Sequence, residues 1–181
     1  MGRGGDGNDG LTPLPPDYGG SCFGEGTLIR LERGWVPVET IEPGERIVTS
    51  RGVQTILWIE SWRPMDYRHR PFVVEGVRLS PNHGVAVGET MVPACQLSSV
   101  RSKIDGSCYF HVLVRDHSWL SARSDMTSPD IQAESLCLTA DLKLARKFPE
   151  LVERHAKDPI VRVRVGARGT AAQTTAPVTA I

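Results

Sequence analysis

Residues 27–41, Thr27-Leu28-Ile29-Arg30-Leu31-Glu32-Arg33-Gly34-Trp35-Val36-Pro37-Val38-Glu39-Thr40-Ile41, decide the fold. Two short apolar runs, Leu28–Leu31 and Trp35–Ile41, are separated by Arg33-Gly34, which is turn chemistry between strands. The same pattern returns without a gap at His83 to Leu97, HGVAVGETMVPACQL. Ile29, Leu31, Val36, Pro37, Val38 and Ile41 fall on Val85, Val87, Val92, Pro93, Ala94 and Leu97. Matching apolar parity and a shared Val-Pro suggest a duplicated hairpin and hence two related β halves about a pseudo-two-fold. Chance agreement between two β-hairpins is the alternative.

Working outward, Arg46–Thr49, Val53–Ile59, Phe72–Val74, Val77–Leu79, Gly84–Val87 and Tyr109–Val114 read as further short strands. Pro43-Gly44-Glu45 and Ser50-Arg51-Gly52 punctuate them. The 18 glycines and 13 prolines of the 181 residues argue for many turns and against a helical bundle. An all-β domain follows, spanning 22–136. After it the composition changes. Thr139 can N-cap a helix beginning at Ala140-Asp141, with Leu142, Leu144, Ala145 and Phe148 at helical spacing. Pro149 should kink or restart that helix, a second stretch runs from Glu150 to Lys157, and Ile160–Val165 alternates like an edge strand. Residues 137–165 thus form a C-terminal helical extension with a possible edge strand. Residues 1–21 and 166–181 read as a flexible leader and a disordered tail.

Charge excludes some functions. Lys plus Arg number 21 against 21 Asp plus Glu, so no overall field draws nucleic acid or anionic membrane. No apolar run approaches the roughly 20 residues that span a bilayer. Met1 to Gly20 lacks the apolar core of a secretory signal. The expectation is a soluble protein without a signal peptide, cytoplasmic or exported by a route the sequence does not display.

Cys22 stands where the leader meets the strands, in Ser21-Cys22-Phe23-Gly24-Glu25-Gly26-Thr27. Cys95, Cys108 and Cys137 lie in apolar stretches and read as small buried hydrophobes; no C-x-x-C pair marks a zinc site. A cysteine at that junction can attack the peptide bond before it. Converting an amide to a thioester needs a deprotonated thiol, a polarised carbonyl and a proton for the departing amine. Ser80-Pro81-Asn82-His83 offers a hydroxyl and an imidazole spaced to address one backbone site, with His83 as the acid and Ser80 as its support. His111 and His117 bracket the strand Phe110–Val114, and either can serve the thiol. His69 and His155 read as ordinary. The histidines have no tight metal-ligand spacing, so neither a metal nor a cofactor is expected.

Taken together, these segments resemble the Hint (hedgehog/intein) family, in its compact bacterial intein-like form. The resemblance covers about residues 22–136. It rests on Cys22-Phe23-Gly24-Glu25-Gly26-Thr27-Leu28-Ile29, the run Gly34 to Ile47, Leu79-Ser80-Pro81-Asn82-His83, Val92-Pro93-Ala94 and Tyr109–Val114, in the family's order. It implies a horseshoe-like β fold of two pseudo-two-fold halves and an N-to-S acyl shift at Ser21-Cys22. It also implies Cys22 as nucleophile. Ser80 and His83 match the family's Thr-x-x-His pair, with serine in place of the commoner threonine. His111 stands where inteins usually carry an aspartate, and His117 matches a histidine that often follows this strand.

Splicing in that family ends with a cyclising asparagine. The two asparagines here, Asn8 and Asn82, do not follow the strand region, so cleavage without splicing is expected. The substrate is the chain's own N-terminal flank, and water or another small nucleophile resolves the thioester. One alternative is a Hint fold without chemistry that serves as a binding module. The other is a Cys-His hydrolase acting in trans, which would want Cys22 at a helix N-terminus; Gly24 and Gly26 argue against that. A self-processing domain would tolerate any sequence ahead of Cys22.

Overall fold

In the computed structural model the two matched segments form hairpins with the same register. The first pairs Leu28–Leu31 (β2) with Gly34–Pro37 (β3), and the second pairs Gly84–Val87 (β8) with Thr90–Pro93 (β9). Ile29 faces Val36 and Leu28 faces Pro37; at the matched positions Val85 faces Val92 and Gly84 faces Pro93. Val38 N–H donates to Thr27 O at 2.8 Å, and Ala94 N–H donates to His83 O at 2.9 Å, again at matched positions. Each Val-Pro then leads into one helical turn, a 3₁₀ turn at Val38–Thr40 and α1 at Ala94–Leu97. The prolines explain why. Both sit extended (φ −60°, ψ 135° at Pro37; φ −62°, ψ 143° at Pro93), and proline has no N–H to continue a ladder. The strand expected over Trp35–Ile41 therefore stops at Pro37.

The remaining strands are β1 (Phe23–Gly24), β4 (Arg46–Thr49), β5 (Gly52–Trp62), β6 (Phe72–Val74), β7 (Val77–Leu79), β10 (Tyr109–Val114), β11 (Trp119–Arg123) and β12 (Ile131–Glu134). The structure describes residues 20–138, 142–158 and 160. The expected helix start at Thr139–Asp141, the edge strand after Ile160, and the leader and tail segments 1–19 and 166–181 lie outside these.

The strands form one antiparallel sheet in the order β6-β7-β1-β10-β5-β4-β2-β11-β12-β8-β9, with β3 on β2. β11 and β12 were not read from the sequence, yet they are the centre of the pseudo-symmetry. Ile29 pairs with Ala122 on β11, and its counterpart Val85 pairs with Ala133 on β12. The axis relating the hairpins falls at the Ser121–Gln132 pair between these strands. Both alanines are fully buried, so small side chains let the halves approach. β5 extends to Trp62, beyond the expected Ile59, because β10 keeps pairing with it through His111–Glu60 and Tyr109–Trp62. That support is non-local, and Glu60-Ser61 carries no strand signal of its own.

Two apolar clusters hold the fold. Phe23, Ile29, Leu31, Val36, Ile47, Val85, Val112 and Leu120 belong to the larger. The smaller joins Leu113, Leu136 and Leu138 to the C-terminal helices α2 (Leu142–Ala145) and α3 (Pro149–Lys157) through Leu144 and Leu151. Pro149 lies in the first turn of α3, where its missing N–H costs nothing, so the proline restarts the helix. Trp58 meets Phe148 edge-on at 6.1 Å, Arg154 pairs with Asp116, and Arg51 pairs with Asp158. The extension is thereby packed on the sheet. Of the cysteines read as buried, only Cys137 is; Cys95 and Cys108 are half-buried, because α1 and the entry to β10 lie at the surface. No helix among the described residues is long and apolar enough to cross a membrane.

Candidate active site around Cys22

Strand register brings the site together. β1 lies between β7 and β10, with Phe23 facing Leu79 on one side and Phe110 on the other. One residue earlier in an antiparallel pair faces one residue later on the partner. Cys22 therefore faces Ser80 on one flank and His111 on the other. Ser80 N–H donates to Cys22 O at 3.0 Å, which fixes the first of these. Gly24 lets β1 approach β7 closely: a Cβ there would lie 2.7 Å from Cβ of Arg78.

The thiol is completely buried. Its sulfur lies 3.5 Å from His111 Nδ1 and 3.6 Å from Nε2, so either nitrogen is within reach of its proton. The indole N–H of Trp62 donates to the same sulfur at 3.4 Å. A donor aimed at sulfur favours the thiolate over the thiol. Beneath, Tyr109 tilts against Trp62 at 5.2 Å and donates its hydroxyl to His69 O at 2.6 Å. Burial, with the Cys22 sulfur close by, pushes the Tyr109 phenol well above its usual range, so it stays protonated.

The other flank holds the backbone. Cys22 N–H donates to Ser80 Oγ at 3.0 Å, and Ser80 Oγ donates to Gly20 O at 3.0 Å. One hydroxyl thus spans the Ser21–Cys22 bond. The turn Ser80-Pro81-Asn82-His83 closes with His83 N–H donating to Ser80 O at 3.0 Å, which turns the imidazole back onto Cys22. His83 Nδ1 lies 2.8 Å from Cys22 O, and Nε2 lies 2.9 Å from Glu134 O. The ring addresses the Cys22 carbonyl, while the Cys22 nitrogen is addressed by Ser80. The ring is fully buried and meets Phe23 edge-on at 4.5 Å. Desolvation pushes its pKa down, against the upward pull of Glu134 and the two carbonyls. Only the imidazolium can donate to both carbonyls, yet burial disfavours the charge. A proton taken up there is held weakly and given up readily.

His117 does not touch Cys22. It is fully buried, and its Nε2 lies 3.0 Å from Glu134 Oε2. Ile160 N–H donates to its Nδ1 at 3.3 Å, so Nδ1 is the acceptor and Nε2 carries the proton toward the carboxylate. Glu134 Oε1 accepts from Ser21 Oγ at 2.6 Å and from Gly84 N–H at 3.0 Å. Cys22, Ser80, His83 and His111 are gathered directly, and His117 joins them through Glu134. Two residues of the site, Glu134 and Trp62, escape sequence reading. Glu134 ends a four-residue strand and meets Ser21, Gly84 and His117 from distant segments, and Trp62 lies beyond the apolar alternation of β5.

Residues 21–75 match the family model of the Hint domain. Over that segment the chain is similar to Hint domains. The match begins at Ser21, takes in Cys22 and the first hairpin, and ends at the β6–β7 turn. Ser80, His83, His111 and His117 lie beyond it. The Hint family is one of autoprocessing, intein-like domains. No curated protein matches the chain.

Proposed function

We propose that this chain cuts itself at the Ser21–Cys22 peptide bond through a thioester. His111 takes the Cys22 thiol proton while the Trp62 indole N–H supports the forming thiolate. Sγ attacks the carbonyl carbon of Ser21, the new C–S bond forms, and the bond from that carbon to the Cys22 nitrogen breaks. The nitrogen leaves as an amine and takes one proton. Ser80 holds that nitrogen, and His83 supplies the proton across the Cys22 carbonyl. Water or a small thiol then attacks the thioester, releasing residues 1–21 and restoring the Cys22 thiol.

The observation that carries this reading is that nucleophile and leaving group belong to one buried residue and each has its own partner. The sulfur meets His111 at 3.5 Å, and the nitrogen meets Ser80 Oγ at 3.0 Å. Holding the reacting atoms this way makes the attack intramolecular, which removes the entropic cost of an encounter. The trans-hydrolase alternative has less support, because Cys22 precedes a strand and, among the described residues, no helix begins at it. Incubation of the whole chain with dithiothreitol should release residues 1–21, and the Cys22→Ala protein should stay whole. Release from Cys22→Ala would remove Cys22 from the mechanism.

A further inference from the structure

The residue ahead of the scissile bond is enclosed. Ser21 is 4% exposed, and its hydroxyl donates to Glu134 Oε1 over 2.6 Å. The carboxylate that receives it belongs to a residue only 2% exposed and is held from two other directions. Gly84 N–H donates to Oε1 at 3.0 Å, and His117 Nε2–H donates to Oε2 at 3.0 Å. Room for this comes from Gly84: a Cβ there would fall 2.9 Å from Glu134 Oε1 and 2.4 Å from Met91 Sδ. Ile160 N–H fixes the tautomer of His117 so that its proton points at Glu134. Gly84 and His117 thus orient the carboxylate, and the flank's own side chain donates to it as well. One residue further out, a Cβ at Gly20 would lie 3.2 Å from Leu136 Cδ1.

The geometry points to Glu134 as the residue that selects the side chain preceding the scissile bond, accepting a short hydrogen-bond donor such as serine and rejecting carboxylates and large apolar groups. This rests on the cleavage reading for its consequence, since gripping Ser21 holds its carbonyl for Cys22. The physical basis is separate. A hydrogen bond to a buried charged acceptor is among the stronger ones, so losing the Ser21 donor costs binding at position 21 even with Gly84 and His117 in place. A second carboxylate beside Glu134 adds like-charge repulsion in a dry site. The Ser21 contact of Glu134 is to the hydroxyl of the flank, so its role is one of specificity and positioning.

The test varies position 21 in two backgrounds. In the wild-type background, Ser21→Ala should slow thiol-induced release roughly 10-fold and Ser21→Asp roughly 100-fold or more. In the Glu134→Gln background, whose amide can donate, Ser21→Asp should recover to at least the level of Ser21→Ala. A Glu134 that merely supports the fold would slow every residue-21 variant by one common factor, and that result overturns the inference. Thermal unfolding of the same set in Cys22→Ala protein, which keeps its flank, separates this inference from the cleavage reading. Even if no fragment is ever released, Ser21→Asp should lower Tm when Glu134 is present and spare it in the Glu134→Gln background; equal lowering in both refutes selection. Should Glu134→Gln fail to fold, Ser21→Asn against Ser21→Asp with Glu134 in place decides. The neutral isostere should hold Tm and the acid should lower it, and equal effects overturn the inference.

Discussion

Ser80 Oγ lies 3.0 Å from the amide nitrogen of Cys22, and it accepts that N–H while donating to Gly20 O. A hydroxyl is suited to this position because it can reverse its role. It accepts while Cys22 N is an amide and can donate once that nitrogen gains a lone pair. Ser80→Ala should slow fragment release on the order of 10-fold or more, the worth of one hydrogen bond to a group developing charge. Ser80→Thr, which keeps the hydroxyl, should retain most of the rate. Single-turnover release measured for both variants checks this; equal losses would mean that the hydroxyl plays no part.

His83 carries both stability and chemistry. The ring is completely buried against Phe23 with carbonyls at both nitrogens. His83→Ala should cost on the order of 2–5 kcal/mol, as for other large buried side chains. His83→Gln keeps a donor for one carbonyl and should cost less, yet it has no titratable proton. Release from a folded His83→Gln protein should fall roughly 10²–10⁴-fold. Denaturant unfolding run beside the release assay separates the two effects.

Acid should destabilise the fold through its buried histidines. Burial lowers the pKa of His83 and of His155 below the ordinary 6.5. His155 Nδ1 accepts from Leu138 N–H at 3.2 Å, so its neutral form donates from Nε2 to the carbonyls of Val114 and Arg115. Above about pH 6.5 both rings are neutral folded or unfolded, and they add no pH dependence. As pH falls through that value the unfolded chain binds protons that the folded chain refuses, so stability drops. Tm should be level from about pH 8 to about pH 6.5 and decline toward about pH 5. A Tm that rises over the lower interval would contradict the lowered values.

Trp62 should act on the sulfur. Trp62→Phe removes the N–H that donates to Cys22 Sγ at 3.4 Å and keeps an aromatic ring beside Tyr109. The thiolate loses a donor, so the pH profile of fragment release should move to higher pH by about one unit. An unmoved profile with a uniformly lower rate would assign Trp62 to packing alone.

Much of this was legible in the sequence, and what was missed has a physical pattern. The repeated hairpin could be read because register-setting residues such as Ile29 and Val36 alternate locally and recur at Val85 and Val92. Cys22, Ser80 and His83 could be named from their positions at strand ends. β11 and β12 could not: Trp119–Arg123 and Ile131–Glu134 are short, and buried alanines do the work of larger apolar residues there. Glu134 was invisible because its partners, Ser21, Gly84 and His117, come from three distant segments. His117 was named for the right region, but its link to the site runs through that unseen carboxylate.

Trapping with hydroxylamine tests the central claim most directly. A thioester at Cys22 carries the acyl group of Ser21, and hydroxylamine captures it as a hydroxamic acid. Mass analysis of the full chain after such treatment should give a fragment of residues 1–21 ending in a Ser21 hydroxamate, together with a protein beginning at Cys22, both absent from Cys22→Ala. An intact wild-type chain, or a fragment ending at any other residue, would contradict acyl transfer to Cys22.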